Sequence, residues 1–200
     1  AGNLTIDQSG GGDGVFQHTV SSKNDFPEQA WADTLFMAAY FLLRLGFKVD
    51  NKAYIDDALK QFYWHEEYLQ DNSTNLFYHA WDNTRKDHLS GIYWARANAW
   101  AAYTMAQAFK LLNPFMPMWM QIGGALEDQL SALVRLQSEE GLWHTILNDP
   151  TSYTETSASA GIAAALVLHG HPQHQKYIEK AYHGILANID EDGSVRNVSA

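Results

Sequence analysis

The sequence has no cysteine, which excludes a disulfide framework and a thiolate zinc site. It also has no run of basic residues, and its net charge is −10. A nucleic-acid partner is not expected, because phosphate binding needs clustered Lys and Arg. No apolar stretch approaches the ~20 residues that cross a bilayer, and no signal peptide opens the chain. We therefore expect no membrane partner.

The signatures of common cofactor sites are missing as well. The sequence has no phosphate loop, dinucleotide fingerprint or Gly-x-Ser-x-Gly elbow. No histidine pair has the spacing of zinc proteases, and His171 and His174 fall in a predicted surface turn. We therefore expect neither a cofactor nor a metal.

Aromatic residues are abundant, with 7 Trp and 10 Tyr in 200 residues. Such side chains often line sugar-binding clefts, where flat apolar faces stack on sugar rings. The alternative is a helical core built from large side chains. The hydrophobic content of 46% is enough for one domain with its own core.

Four short segments of the chain resemble each other. Each has turn residues followed by an extended apolar or aromatic pair, at residues 12–18, 75–79, 140–144 and 191–195. Aligned on Gly14, Asn75, Gly141 and Gly193, they are 61, 66 and 52 residues apart. This loose period predicts a repeated supersecondary unit.

A pair of helices is predicted in each interval between the segments. The pairs are 30–45 with 52–69, 95–112 with 118–136, and 156–168 with 172–188. The first helix of each pair is apolar almost all round and is expected to be buried on every face, whereas the second is amphipathic. The pattern predicts an all-α, two-layer arrangement in which three hairpins form part of a ring. An open α-solenoid is the structural alternative.

Polar residues open each of the predicted buried helices. Asp33 lies among apolar residues, which are expected to raise its pKa and keep a proton available for donation. The alternative is a carboxylate favoured by the helix dipole. Arg96 can hold a substrate carboxylate, or pair with Asp33, Asp82 or Glu155. In a ring these helix ends share one rim, where a cleft would form.

Histidine recurs in the repeated segments, at His18, His79 and His144. Beside aromatic residues, histidine is typical of hydrogen bonding in a cleft. For each one, the alternative is a side chain satisfied within a structural turn.

Four ordered stretches resemble a known family. Residues 26–38 (FPEQAWADTLFMA) are similar to the signature of the unsaturated rhamnogalacturonyl hydrolases of glycoside hydrolase family 105, relatives of the family 88 unsaturated glucuronyl hydrolases. The stretches LFYHAWD at 76–82, YWARANAW at 93–100, and GLWHT with YTETSA at 141–145 and 153–158 agree in the same order.

The resemblance implies an (α/α)6 toroid, of which this chain holds about three hairpins, with residues 1–200 forming part of one catalytic domain. It implies a reaction at the C4=C5 double bond that polysaccharide lyases leave in a terminal uronic acid. The bond is hydrated, and the hemiketal opens and releases the neighbouring sugar, so ordinary paired-carboxylate geometry does not apply. The implied substrate is a pectic oligosaccharide with unsaturated galacturonic acid. The resemblance to this family and the absence of cysteine also lead us to expect a cytoplasmic location.

Carried over residue by residue, the resemblance implies that Asp33 is the acid/base and that His79 contacts the uronate. The other implied substrate contacts are Trp31, Met37, Trp94, Arg96, Trp100 and, from a less distinctive loop, His18. Trp143, His144 and Glu155 match signature positions without an assigned role.

Two departures from the family accompany this resemblance. Ala97 and Ala99 stand where the family usually has glycine, so helix packing or substrate clearance is expected to differ. The inner helices and second active-site carboxylate that the family has upstream are absent, so we expect an incomplete copy of the domain. The alternatives are an unsaturated glucuronyl hydrolase, a sugar epimerase with paired histidines, or a non-catalytic helical scaffold or sugar-binding module.

Overall fold

The structure, a computed structural model, describes residues 6–7, 14–19 and 25–199. Gly12 and Asp13 of the first repeated segment lie outside these ranges. The helices are α1 (Ala32–Thr34), a π-helical segment (Leu35–Tyr40), α2 (Phe41–Lys48), α3 (Lys52–Leu69), α4 (Ala95–Leu111), α5 (Pro117–Arg135), α6 (Thr156–His169), a 3-10 turn (Pro172–His174) and α7 (Gln175–Leu186). The short strands are β1 (Ile6–Asp7), β2 (Val15–Phe16), β3 (Gln29–Trp31), β4 (Ala80–Asp82), β5 (Asp87–His88), β6 (Trp143–His144) and β7 (Thr154–Glu155).

The helices form the three predicted hairpins in two layers. The inner helices are the α1–α2 run, α4 and α6, and α4 packs against both of the others. Each inner helix packs against its outer partner, α3, α5 or α7. The first inner helix begins at Ala32 rather than at Ala30, because residues Gln29–Trp31 are drawn into an extended strand by pairing with β4. No helix in the described ranges is both long and apolar enough to cross a membrane.

Small sheets connect the hairpins at one end of the inner layer. β1 pairs with β2 in parallel, β3–β4–β5 form an antiparallel sheet, and β6 pairs antiparallel with β7. The registers place Ala30 opposite Trp81 and Trp143 opposite Glu155. Two inner helices thus begin directly after a strand, at Ala32 and Thr156.

One hydrogen bond recurs at the start of every inner helix. The amides of Ala32, Ala95 and Thr156 donate to carbonyl oxygens 2.9 Å away. The acceptors are the carbonyls of His79, Thr145 and Asn197. Each acceptor lies four residues after a turn residue with positive φ, namely Asn75 (63°), Gly141 (88°) and Gly193 (86°). The repeat predicted from the sequence is therefore a structural repeat, with the same register in three copies.

The inner helices are not buried on every face, so that prediction is wrong. Leu35, Ala39 and Leu43 are buried, whereas Met37 is 57% exposed and Phe41 is 63% exposed. The outer layer covers one side of these helices, and nothing in the described part of the chain covers the side that carries Met37 and Phe41.

Small residues let α4 and α6 approach each other closely. Ala97 and Ala99 are almost fully buried. A Cβ added at Gly161 of α6 would lie only 2.9 Å from the Ala99 Cβ. The glycine that permits the close approach therefore lies on α6 in this chain, facing the alanine on α4.

We expect Gly161→Ala to lower the free energy of unfolding. Alanine gains about 1 kcal/mol of helix propensity, but overpacking costs about 1–3 kcal/mol, so the net loss should be up to about 2 kcal/mol. The matched control is Gly124→Ala on α5, where an added Cβ meets nothing within 4 Å. Urea unfolding should show destabilisation at Gly161 and stabilisation at Gly124. Stabilisation by both would mean that the interface relaxes freely.

Candidate active site

Asp33 and His79 form the centre of the candidate site. Asp33 is the second residue of α1, and His79 directly precedes β4. The pairing of β3 with β4 brings them together, and His79 Nε2 lies 2.9 Å from Asp33 Oδ2. Their side chains are 20% and 23% exposed, so both face a partly open space.

Aromatic rings surround this pair. Trp31 meets the His79 ring edge-on, with centroids 4.7 Å apart, and the Trp94 ring lies 4.5 Å from His79 on another side. His18 stacks on Trp31 at 4.6 Å with an interplanar angle of 16°. Phe26 packs against Trp31 at 5.0 Å. The arrangement offers flat apolar faces next to a carboxylate, as a sugar site requires.

The pKa of Asp33 is lowered, so the predicted direction was wrong. Burial does raise it, as expected, and is the largest single influence. The hydrogen bond with His79 and the electrostatic effects of His79 and His18 act in the opposite direction and together prevail. The Asp33 carboxyl therefore favours the ionised form.

His18 joins the cluster through a second polar contact. Its Nδ1 lies 2.9 Å from the Thr34 hydroxyl oxygen, next to Asp33 in sequence. Burial lowers the pKa of His18, and proximity to Asp33 partly opposes that effect. Thr34 and Phe26 were not singled out from the sequence, although both lie within the family signature stretch.

Arg96 occupies the second position of α4, as Asp33 does in α1. Its guanidinium lies over the Trp94 ring at 4.4 Å. Nη1 donates to the Ser199 carbonyl at 2.6 Å and lies 3.8 Å from Glu155 Oε1. Of the three acidic partners considered from the sequence, the structure thus brings Glu155 to Arg96.

Glu155 is fully buried and serves as the N-cap of α6. Its carboxylate accepts hydrogen bonds from the Ala158 amide, from the Ser157 hydroxyl at 2.6 Å and from the Ser199 amide at 2.8 Å. The start of the third inner helix is therefore an anchor for Arg96 and for the end of the described chain.

A cavity of about 360 Å³ adjoins this rim. Its walls include Phe36, Ala99, Trp100 and Tyr103, with Arg96 at its border. Phe36 and Trp100 pack with ring centroids 4.6 Å apart. Trp100 therefore lines a space beside the Asp33 cluster, while Met37, largely exposed, lies outside the contacts described above.

The remaining histidines have structural surroundings. His144 Nδ1 lies 2.5 Å from the Ser152 carbonyl, which satisfies it within its own turn. His174 is 1% exposed, so its predicted surface position is wrong. Its ring packs against those of His169 and His171. Over the described ranges, no group of three potential ligands is arranged to hold a metal ion.

Comparison with known proteins agrees with this architecture. Residues 4–200 match the family described as Glycosyl Hydrolase Family 88. The chain belongs to this family. Its strands, hairpins and rim are those of a fold whose members are (α/α)6 toroids, and this chain contains three hairpins of that fold.

Individual relatives are similar over most of the chain. The unsaturated rhamnogalacturonyl hydrolase YesR of Bacillus subtilis is 57% identical over 190 residues, or 94% of this chain and 55% of that protein. An unsaturated 3S-rhamnoglycuronyl hydrolase of Formosa agariphila is 29% identical over 82% of this chain and 48% of its own length. A crystal structure of a possible GH105 family member from Salmonella enterica has a TM-score of 0.87 and 31% identity, over 94% of this chain and 51% of that one. This chain therefore spans about half the length of these relatives.

Replacing His79 by leucine should raise the pKa of Asp33. The substitution removes the hydrogen bond and the electrostatic effect of His79, which lower this pKa, and leaves burial opposed only by the smaller effects of His18 and of a backbone hydrogen bond. Carboxyl-carbon NMR titration should show the rise. The control is His144→Leu, a histidine of another repeated segment that is not among the influences on Asp33. An unchanged Asp33 titration in His79→Leu would mean that the pair is not coupled.

His65, beneath the site on α3, should make folding sensitive to acid. It is fully buried, with Nδ1 2.7 Å from the Gln61 carbonyl, and burial lowers its pKa from 6.5 to about 4. The unfolded chain then takes up a proton that the folded chain excludes, so stability is lost as the pH falls from 6.5 towards 4. Between pH 7 and pH 5 the loss should be about 2 kcal/mol.

Urea unfolding of His65→Leu at both pH values tests this prediction. The variant should lose correspondingly less stability on acidification than the parent. His183→Gln, which changes an exposed histidine of α7, should keep the parent's dependence. Equal pH dependence in parent and His65→Leu would exclude His65 as the source.

Proposed function

We propose that this chain supplies the Asp33 part of an active site that hydrates the C4=C5 double bond of unsaturated uronyl oligosaccharides. The supporting observation is the 2.9 Å contact between His79 and Asp33 within a ring of aromatic side chains. The proposed substrate is the lyase product of rhamnogalacturonan, with unsaturated galacturonic acid linked to rhamnose. Similarity to YesR, named for that type of substrate, supports this choice.

The first step is a proton transfer from the Asp33 carboxyl to C4 of the sugar. It leaves positive charge on C5, which the ring oxygen shares. Water then adds to C5 and gives up its proton to the Asp33 carboxylate, so the acid is restored. The C5 hemiketal opens by breaking its bond to the ring oxygen, which takes the proton of the C5 hydroxyl. The hemiacetal left at C1 then collapses to an aldehyde: its bond to the neighbouring sugar breaks, and its hydroxyl proton passes to the departing sugar oxygen.

The lowered pKa of Asp33 is compatible with this role. A bound uronate brings a second negative charge and displaces water, and both effects raise the pKa of a neighbouring carboxyl. The substrate thereby promotes protonation of its own acid. His79, within hydrogen-bond distance, is placed to exchange that proton.

Arg96, held over Trp94, brings a cationic group to this rim. Its place at the same rim as Asp33 suits it to a polar or carboxylate oxygen of the sugar. Trp31 and Trp94 would stack on or border the ring, with Trp100, His18 and Met37 as further proposed contacts. Because the chain is acidic overall, a local cation of this kind is what an anionic sugar needs.

Turnover of an unsaturated galacturonyl-rhamnose disaccharide tests the proposal. Loss of the ultraviolet absorbance of its double bond would be followed with this chain and with a chain of the full length of its relatives. Asp33→Asn should lower the rate by at least about 100-fold. His183→Gln is the control. Normal turnover by Asp33→Asn would exclude Asp33 as the acid, and a folded full-length form without turnover would overturn the substrate assignment.

A second sugar is tested in the same assay. The Formosa agariphila relative is named for a 3S-rhamnoglycuronyl substrate. A faster reaction with an unsaturated glucuronyl-rhamnose disaccharide would move the assignment to glucuronate while keeping the role of Asp33.

Epimerase activity requires two histidines as acid and base, and His18 and His79 do flank Trp31. Turnover of saturated sugars that depends on both histidines would favour that reaction.

A further inference from the structure

Two of the repeated segments share a second hydrogen bond besides the one at the helix starts. Two residues after the turn position, the amides of Phe77 and Trp143 donate to side chains 2.8 Å away. The acceptors are Asn98 Oδ1 and Ser159 Oγ, both fully buried. Asn98 and Ser159 each occupy the fourth position of the inner helix that follows their segment. This side chain therefore fixes the segment against its own helix.

The first segment cannot be held in this way. The fourth residue of its inner helix, counted from Ala32, is Leu35, which has no polar group and is 1% exposed. The amide in question is that of Phe16, two residues after Gly14. It donates instead to Gln61 Oε1, again at 2.8 Å. The acceptor comes from the outer helix α3 rather than from the inner layer.

Gln61 also forms a second hydrogen bond to the first segment, through its amide nitrogen. Nε2 donates to the Gly14 carbonyl at 2.9 Å, just as Asn98 Nδ2 returns a bond to the Phe77 carbonyl at 2.8 Å. Gln61 is fully buried, so leaving these backbone groups unpaired would cost about 1–3 kcal/mol each. The bidentate contact fixes the backbone of residues 14–16, two residues before His18.

We propose that Gln61 is a positioning residue of the candidate site, which holds the segment at residues 14–18 so that His18 stacks on Trp31. Val15, between the two clamped residues, is fully buried and adds an apolar anchor. The His18 amide donates to the Gln29 carbonyl at 2.8 Å, which ties the segment to the strand that carries Trp31. Gln61, a residue of the outer layer, thereby sets the position from which the His18 ring contacts the Thr34 hydroxyl.

Gln61→Met tests this role without substrate, because methionine has a similar volume and forms neither bond. NMR should show the His18 ring signals moving from ring-current-shifted values towards those of an unstacked histidine. Exchange of the Phe16 amide proton should accelerate about tenfold. The matched control is Gln129→Met, a fully buried glutamine of outer helix α5 that binds Asn98 and so touches the second segment. It should leave the His18 and Phe16 signals unchanged.

Unchanged His18 and Phe16 signals in folded Gln61→Met would overturn the proposal. If Gln61→Met does not fold, Gln61→Asn takes its place. Asparagine keeps the amide but is one methylene too short to span both backbone groups, so the same shift in His18 is expected. No shift in the folded asparagine variant would equally overturn the proposal.

The functional consequence rests on the proposed function and is measured separately. In a form that turns over the disaccharide, Gln61→Met should lower kcat/KM about 10- to 100-fold, because a small displacement of a contact group is costly. His183→Gln, the exposed control on α7, should keep the parent's value. A folded full-length parent without turnover would overturn the proposed function but leave the NMR test intact. A His18 shift with unchanged kcat/KM would remove His18, and with it Gln61, from the catalytic site.

Discussion

The structure depends on the hydrogen bond between the first amide of each inner helix and a carbonyl of the next repeated segment. Helix starts have unpaired amides that must find acceptors when buried. Here the acceptors are supplied by the connecting stretch that follows each hairpin, at the same 2.9 Å distance in three copies. The bond therefore ties each inner helix start to the connection after its own hairpin and aligns the helix starts. Asp33, Arg96 and Ser157, each second in its helix, consequently lie along one rim.

Because the repeat fixes the backbone, the same positions can carry different chemistry. The residue before each inner helix is Trp31, Trp94 or Glu155, so aromatic walls flank the first two starts and a buried carboxylate caps the third. The segment positions that receive the helix amides carry His79, Thr145 and Asn197 side chains. Only the first of these starts pairs a carboxylate with a histidine, and this asymmetry locates the proposed chemistry.

Much of this architecture follows from the sequence because its signals are periodic. The turn residues Asn75, Gly141 and Gly193 mark positive φ, and the apolar and amphipathic helices could be separated by their patterns. The start at Ala32 was missed because the sequence of residues 29–31 suits a helix as well as a strand, and only pairing with β4 decides. Burial of Phe41 was overestimated because apolar pattern alone does not say which faces other elements cover.

The role of Gln61 was not predictable from the sequence, since nothing in its helix distinguishes it from other glutamines. Its role is recognised only by comparison with the other repeats, where Asn98 and Ser159 form the same bond from inner helices. Leucine at position 35 removes that option in the first hairpin.

The direction of the Asp33 pKa shift could not be predicted from the sequence either. The apolar neighbours of Asp33 in the sequence indicate burial, which raises its pKa. The opposing influence comes from His79, which is 46 residues away in the chain. Binding of an anionic sugar would shift this balance. Exclusion of water strengthens the effect of burial on the Asp33 pKa, and the negative charge of the uronate raises that pKa further. An acid that is ionised when the site is open can therefore be protonated when it is filled, and proton donation becomes conditional on the substrate.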